Sequence, residues 1–280
     1  MSKYYCLIAG LPELTLEDSK LNYTVESFKT DLYSELSAAD KHLVDLFYLK
    51  FDNANVLKLL KDKDASIDIR GVFSVEQLSE SISFIKESGT PEKSYLPSYL
   101  SSFISSYFID TNSHEQILQE DALAGAYYAY AMQCSNKFVS SWFAFNLNVN
   151  NILLALTARK YKQDVALNIV GDTEICELLR SSGARDFGLS NEIEYFEQLS
   201  VISEITELVE REKKVDLLKW EWIENAVFFN YFSIERVFAF LLNLEMLERW
   251  ISMDKEKGNL LFRNMIDALK NDVQIPAEFR

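Results

Sequence analysis

The chain of 280 residues is long enough for one large domain or two small ones, and its 43 acidic and 28 basic residues give a net charge of −15. So acidic a chain lacks the basic face that binds nucleic acid, and it is poorly suited to electrostatic docking on anionic lipids. Only 8 glycines and a hydrophobic content of 48% argue against glycine-rich phosphate loops and against disorder. Composition therefore favours a folded, helical protein without chemistry of its own.

The first element is a short apolar run, Tyr4–Ala9, which is followed by Gly10 and Pro12. Six residues of mixed apolar type fit a strand and a buried helical turn equally well, so both remain open. The run is too short for the apolar region of a secretory leader, and no stretch of the chain approaches the ~18 apolar residues of a membrane-spanning helix. We therefore expect a cytoplasmic protein that meets a membrane only through a partner.

Capping boxes mark the starts of two helices. Ser74 with Gln77 begins a helix whose apolar residues recur on one face, and Gly89 is expected to end it. Ser113 with Gln116 begins a second helix, which carries an apolar face towards residue 134. Both segments are predicted to be amphipathic helices.

Two further segments repeat one another at a constant offset of 96 residues. Phe47–Lys63 aligns with Phe143–Arg159, so that Phe matches Phe at the start, Val-Leu matches Ile-Leu in the middle and Lys matches Arg at the end. Repeats of this kind indicate a repeated structural unit. We predict repeat helices near 40–63 and 138–162, with a third, weaker copy near 234–270.

Four polar residues occupy matching positions in the two copies, namely Asp52 and Asn55 in the first and Asn148 and Asn151 in the second. Residues three apart share a helix face. Asparagine is unfavourable inside a helix because its side chain competes for backbone hydrogen bonds, so its recurrence indicates a positional role. We expect the amide to hold a neighbouring helix or turn. Chance similarity between two amphipathic helices is the alternative.

The remaining elements lie in the C-terminal half. The apolar run Val165–Val170 again fits either a strand or a helical turn. Leu199–Lys213 places its apolar residues on one face and ends in basic residues, which predicts a single helix. From Ser233 an apolar helix is expected to run to Gly258, and a last helix covers Leu260–Lys270.

The repeated pattern places an aromatic residue before Asp-x-x-Asn, an aliphatic pair and Leu-x-x-Lys/Arg. It resembles the repeated helix of the C-type subunit of archaeal and bacterial V-type ATPases, whose eukaryotic counterpart is the d-type subunit. The segments Phe232–Phe240 and Leu244–Trp250 are similar to the late, Glu-bearing helix of that family. Three other segments resemble most closely an uncharacterised bacterial family, which is found with V-type ATPase components in Bacteroidetes in the place of the C-type subunit: Tyr4–Pro12, Asp186–Ser190 and Arg211–Trp220.

The resemblance implies a single all-α domain, 1–280, built as a funnel-like array of two to three pseudo-repeated helical bundles. It also implies a non-catalytic adaptor of the central stalk. Proteins of that family cap the membrane rotor ring and receive the axle, which consists of D-type and F-type proteins, in a central cavity. The implied partners are therefore the axle and the ring, and the implied location is the cytoplasmic face of the inner membrane, reached through the ATPase complex. Neither a cofactor, a nucleic acid nor lipid insertion is implied.

The chain shows no cluster of residues that predicts catalysis or metal binding. His42 and His114 stand apart, and the three cysteines form no CxxC pair, so neither a zinc site nor a disulfide framework is indicated. Cys134, on an apolar face, is expected to be a buried, inert thiol. The kinase-like Asp186-Phe187-Gly188 lacks the accompanying catalytic and glycine-rich loops, and we interpret it as a turn. We expect no catalytic, cofactor-binding or metal-binding residues.

Aromatic residues crowd the segment from Trp220 to Phe232. We interpret them as core, with an interface anchor as the alternative. Two other functions also remain open. One is a free-standing α-helical scaffold or interaction module unrelated to the ATPase. The other is a helical enzyme, which a deep pocket holding two or more perturbed ionisable groups would favour.

Overall fold

The computed structural model describes residues 4–16, 18, 20–89, 91, 94–109 and 116–272. In this part of the chain there are eleven α-helices and no strand, so the predicted all-α fold is confirmed. In chain order the helices are α1 (Tyr5–Ala9), α2 (Val25–Glu35), α3 (Ala38–Lys61), α4 (Val75–Ser88), α5 (Ser98–Ile109), α6 (Gln116–Met132), α7 (Lys137–Lys160), α8 (Glu174–Ser181), α9 (Phe196–Ser203), α10 (Leu208–Ala226) and α11 (Ile234–Asp272). Among the described residues no helix combines the length and the apolar character needed to cross a membrane.

The N-terminal apolar run is a helix, so the short N-terminal strand considered from the sequence is wrong. The Tyr4 N–H donates to the Phe232 carbonyl at 3.0 Å, and the Tyr5 ring lies 4.6 Å from the Phe232 ring. A strand would need a neighbouring strand to complete its hydrogen bonds, and the described residues provide none. For the same reason the run 165–170 contains a 3₁₀ turn, Ala166–Asn168, rather than a strand.

The first capping box is confirmed at the start of α4. The Ser74 hydroxyl accepts the Gln77 N–H at 3.3 Å, and the Gln77 side chain accepts the Ser74 N–H at 2.9 Å. Gly89 ends the helix in the left-handed conformation, with φ of 62°. The second box involves Ser113, which lies outside the described residues, and α6 is described from Gln116 onward.

Two predicted boundaries in the C-terminal half are wrong. The segment 199–213 is divided between α9 and α10, because Glu207 caps α10 and its carboxylate accepts the N–H groups of Val209 (3.0 Å) and Glu210. A capped start satisfies the free amides of the first turn, so the chain can break there. Gly258 does not end α11, which continues to Asp272. One glycine inside a helix costs only about 1 kcal/mol.

Helix α7 is the central element of the fold. Its 24 residues span about 36 Å, and it packs against α6, α8, α9, α10 and α11. Residues on several of its faces are buried by these neighbours, most of them apolar, but Asn148 and Asn151 among them. The other 24-residue helix, α3, packs against α6 and α4.

An aromatic layer fills the middle of the bundle. Phe238 of α11 is fully buried, and the rings of Phe47, Phe138 and Phe143 lie around it at centroid distances of 6.4, 6.3 and 6.5 Å. The ring of Tyr127 lies 5.5 Å from that of Phe143, and its hydroxyl donates to a backbone carbonyl of α3 at 2.6 Å. Edge-on ring contacts of this kind tie α3, α6, α7 and α11 together.

Candidate functional site

Each copy of the repeat is a helix–loop–helix unit. The 24-residue helices α3 and α7 each lead through a loop into a shorter helix, α4 or α8. The shorter helices begin in the same way, because the hydroxyls of Ser74 and Thr173 each accept the N–H three residues later. In the weaker third copy, Asp254 stands at the position that Asp52 takes in the first copy. Asp254 belongs to α11, but its side chain lies outside the described part of the structure.

Asn55 and Asn151 make the same pair of hydrogen bonds. Asn55 donates from Nδ2 to the Asp68 carbonyl at 2.9 Å and accepts the Asp68 N–H at 2.7 Å. Asn151 does the same with Val170, at 2.8 and 3.1 Å. Both asparagines are buried. In each copy one amide therefore holds both backbone groups of a loop residue, and this shared arrangement, which we call the amide clamp, argues against chance similarity of the two helices.

The residues three positions before the clamp asparagines, Asp52 and Asn148, make different contacts in the two copies. The carboxylate of Asp52 is fully buried and accepts the N–H groups of Val72 (2.7 Å) and Phe73 (3.1 Å). Burial raises the pKa of Asp52 to about 6, although the two amides oppose that shift. Asn148 instead donates to the Tyr195 hydroxyl at 3.5 Å, so it faces the start of α9 and not a loop.

A cation from a second helix also holds each loop. Lys29 of α2 donates from Nζ to the carbonyls of Arg70 (3.0 Å) and Gly71. Arg180 of α8 donates to two carbonyls of the other loop, those of residues 169 (3.1 Å) and 171 (2.6 Å). In both copies a cation therefore holds two loop carbonyls, but the cation belongs to α2 in the first copy and to α8 in the second.

A cavity of about 750 Å³ opens between α3, α6, α7, α10 and α11. None of the four predicted positions, Asp52, Asn55, Asn148 and Asn151, belongs to its lining, because the side chains of three of them hold loops and that of Asn148 faces α9. Aromatic side chains from α3, α6 and α7 form its apolar part: Phe47, Phe51, Tyr127, Tyr128, Trp142 and Phe143.

Eight charged side chains complete the cavity wall, four of them cationic and four anionic: Lys50, Arg70, Glu120, Asp216, Lys219, Glu245, Glu248 and Arg249. Two ion pairs cross between helices, Lys50 with Glu245 and Arg249 with Asp216. The indole N–H of Trp250 also donates to Asp216, at 2.7 Å. The wall is therefore balanced in charge, and its ion pairs link α3, α10 and α11.

Lys219 differs from the other cations of the wall. Among the described residues no carboxylate lies within 4.0 Å of its Nζ, which donates to the Asn150 side chain at 3.3 Å. Burial lowers the pKa of Lys219 and of Lys50, and nearby carboxylates oppose the shift, chiefly Asp216 at Lys219 and Glu245 at Lys50. A partner that brings a carboxylate into the cavity could therefore gain an ion pair at Lys219.

Sequence reasoning missed the cavity residues as a group. Their one signal is a charged residue inside an apolar stretch, such as Lys50 between Leu49 and Phe51. Two segments singled out for their family resemblance do meet at the cavity, since Asp216 belongs to Arg211–Trp220 and Arg249 to Leu244–Trp250.

The other residues considered for chemistry lie apart from the cavity. The His42 side chain is exposed, His114 lies outside the described residues, and the cysteines that the structure describes are free. Cys134 is only half-buried, which corrects the expected buried thiol. In the part of the chain that the structure describes, no group of three or more His, Cys, Asp or Glu side chains is placed to hold a metal ion.

The Asp186-Phe187-Gly188 segment forms a turn, with φ of 56° at Phe187 and 79° at Gly188. The buried Phe187 ring supports the guanidinium of Arg159 at 3.4 Å, and Arg159 donates to the carbonyls of residues 182, 184 and 185. The segment therefore anchors the end of α7, where Arg159 closes the second copy of the repeat.

The aromatic residues near the end of α10 divide into two groups. Trp222 is half-buried and packs against the core, since its ring stacks on the buried Phe145 at 4.6 Å with 9° between the planes. The core prediction is wrong for Phe228, Phe229, Tyr231 and Phe232, which are exposed to 63, 82, 64 and 41%.

No curated protein and no solved structure matches the chain significantly. One family model, described as "Protein of unknown function (DUF2764)", matches residues 1–273. That match includes both copies of the repeat and every helix that lines the cavity. The chain therefore belongs to the DUF2764 family of proteins of unknown function.

Proposed function

We propose that the protein is a non-catalytic adaptor in the central stalk of a V-type ATPase, where it couples the rotary axle to the membrane rotor ring. The observation that carries the proposal is the amide clamp shared by Asn55 and Asn151. These residues belong to the repeated pattern that resembles the C-type component of these ATPases, and their equal environments support a true repeat. The proposal includes a position at the cytoplasmic face of the inner membrane.

The cavity is the proposed seat of the axle tip. Its wall consists mainly of side chains on five helices, and ion pairs brace α3 against α11 and α11 against α10. A helical, braced wall resists deformation, which a part that transmits torque requires. A wall of mixed charge suits a polar protein surface with complementary charges better than it suits a polyanion.

A second opening lies further along three of the same helices, α3, α6 and α11. A groove of about 680 Å³ is lined by the start of α3 (residues 39–46), the end of α6 and the start of α11. Along α11 the buried Phe238 lies between Glu235 of the groove and Leu242 of the cavity, so the aromatic layer separates the two openings. An adaptor needs two such faces, one for each partner.

Affinity purification from native membranes tests the proposal, with a tag on the full chain. The wild-type protein is expected to recover both axle and ring proteins. Lys219→Met should reduce recovery of the axle at least about tenfold, because it removes the cation that lacks a carboxylate partner in the cavity. Lys214→Met is the matched control, because Lys214 lies on the exposed side of the same helix. Recovery of neither partner by the wild type would contradict the proposal and favour the free-standing scaffold.

A second candidate function rests on the two cavity lysines whose pKa burial lowers. A lysine with a lowered pKa is a stronger nucleophile at neutral pH, so the cavity could hold a small carbonyl compound. Treatment with pyruvate and borohydride, followed by peptide mass mapping, tests this. Preferential modification of Lys50 or Lys219 over the exposed Lys214 would favour the enzyme, whereas the adaptor predicts no such preference.

A further inference from the structure

Five aromatic side chains stand exposed together at one end of the bundle, on α1 and on the turn between α10 and α11. We call this group, Tyr5, Phe228, Phe229, Tyr231 and Phe232, the aromatic end. The rings of Tyr5 and Phe232 are 4.6 Å apart, and those of Phe228 and Phe229 are 4.9 Å apart. Single exposed apolar residues are common, but five exposed rings on α1 and one adjoining turn, four of them in ring pairs, are typical of an interaction surface.

The lining of the groove of about 680 Å³ begins at the residue that follows the aromatic end in the chain. Phe232 is followed in the chain by Ser233, Ile234 and Glu235, which form one of its walls. The Tyr4 hydroxyl donates to Asp40 of the opposite wall at 2.5 Å, next to the Tyr5–Phe232 contact. The aromatic end therefore adjoins the groove at Phe232 and Ser233.

The groove is acidic. Besides His42, its charged lining residues are Asp40 and Glu235, and neither Lys nor Arg belongs to the lining. Both carboxylates accept hydrogen bonds from neutral donors, Asp40 from two hydroxyls and Glu235 from the Asn136 amide at 2.7 Å. Among the described residues no cation lies within 4.0 Å of either carboxylate. Two half-buried carboxylates without a cationic partner favour a ligand that carries positive charge.

We propose that the aromatic end and the groove bind a protein segment that carries apolar side chains next to lysine or arginine. The rings would cover the apolar side chains, and Asp40 and Glu235 would pair with the cation. An anionic membrane fits poorly, because the groove is acidic and the whole chain has a net charge of −15. A second copy of the chain fits poorly too, since a symmetric contact would bring the same carboxylates together.

The inference goes beyond the proposed function, which assigns the axle to the cavity and gives the groove to a second partner without naming that partner's chemistry. Fluorescence anisotropy with the full chain tests it. The probes are two labelled amphipathic peptides of equal length, one built from Leu and Lys and the other from Leu and Glu. We expect the Leu/Lys peptide to bind, Phe229→Ser to weaken that binding at least about tenfold and Glu235→Gln to weaken it about threefold or more. Phe229 is exposed and Glu235 is half-buried, and a Gln at 235 retains the acceptor for Asn136.

Matched controls separate this surface from the overall acidity of the chain. Leu167→Ser removes an apolar side chain that is 75% exposed, and Glu194→Gln removes an exposed acid, both away from the groove. Neither should change binding. Equal losses in the control variants, or equal binding of the Leu/Glu peptide, would overturn the inference. The inference would also be overturned if the wild-type protein sedimented with phosphatidylserine vesicles, or associated with itself, and Phe229→Ser abolished that behaviour. Axle recovery should be unaffected by Phe229→Ser, so the two proposals can fail separately.

Discussion

At the scale of single residues, the amide clamp gives two long loops a fixed position on a helix. Asn55 and Asn151 are both buried, and each satisfies a backbone donor and a backbone acceptor that would otherwise need water. Their side chains point away from neighbouring turns of the helix, which offsets the low helix propensity of asparagine. The loops that they hold lead directly into α4 and α8.

Loss of either clamp should destabilise the protein. We expect Asn55→Ala and Asn151→Ala each to lower the free energy of unfolding by about 2–4 kcal/mol, since two backbone groups lose their partners. Urea denaturation measures the change, and amide hydrogen exchange at Asp68 and Val170 should quicken in the matching variant only. Asn191→Ala, at an exposed position, is the control and should cost less than about 0.5 kcal/mol. If Asn55→Ala and Asn151→Ala lowered the free energy of unfolding no more than the control does, the clamps would not contribute to stability.

Asp52 should give stability a distinctive pH dependence. Because burial raises its pKa from 3.8 to about 6, its contribution to stability is fully present below its unfolded pKa and is lost as pH rises through about 6. Lys29 of α2 opposes the shift and Asp45 of α3 adds to it. The difference in unfolding free energy, wild type minus Asp52→Asn, should therefore fall by about 1 kcal/mol between about pH 5 and about pH 8. A difference that is constant with pH would show that Asp52 titrates normally.

At the scale of elements, charged side chains join helices that are distant in sequence. Asp216 of α10 is 4% exposed, and its carboxylate is held by Arg249 and Trp250 of α11. A buried carboxylate that loses its cation is strongly destabilising, whereas removal of both partners costs less. The pair therefore fixes how α10 and α11 meet at the cavity wall.

A double-mutant cycle measures this link. Arg249→Met alone should lower the free energy of unfolding by about 2–4 kcal/mol, and adding Asp216→Asn should restore part of it. Arg236→Met is the matched control, because the Arg236–Glu224 pair is about 40% exposed on both sides and should contribute less than about 1 kcal/mol. Strict additivity in the cycle would contradict the coupling.

The sequence predicts some elements well and others poorly, for physical reasons. Helix α4 is marked by apolar periodicity and by its local cap, Ser74, whereas α3 and α7 are marked by the repeat at an offset of 96 residues. The break between α9 and α10 depends on Glu207 acting as a cap, a role that Glu rarely takes, so periodicity across the break misleads. The cavity is harder still, because Lys50, Asp216 and Arg249 converge only after three helices have packed.

At the scale of the whole molecule, two openings follow one another along α3, α6 and α11, and on α11 the buried Phe238 lies between them. The cavity side has a balanced charge, whereas the groove side is acidic and bordered by exposed rings. The sequence alone predicts a protein with few glycines and without chemistry of its own. The structure adds two separate surfaces, which is the arrangement that an adaptor between two partners needs.

Site-specific photo-crosslinking in membranes that contain an active V-type ATPase tests the central claim most directly. A photoreactive residue is placed at Ser252, which lines the cavity and is exposed, and for comparison at the exposed Leu167. The adaptor account predicts that position 252, and not position 167, crosslinks to an axle protein, as identified by mass spectrometry. Failure of position 252 to crosslink to the axle in membranes that hydrolyse ATP would contradict it.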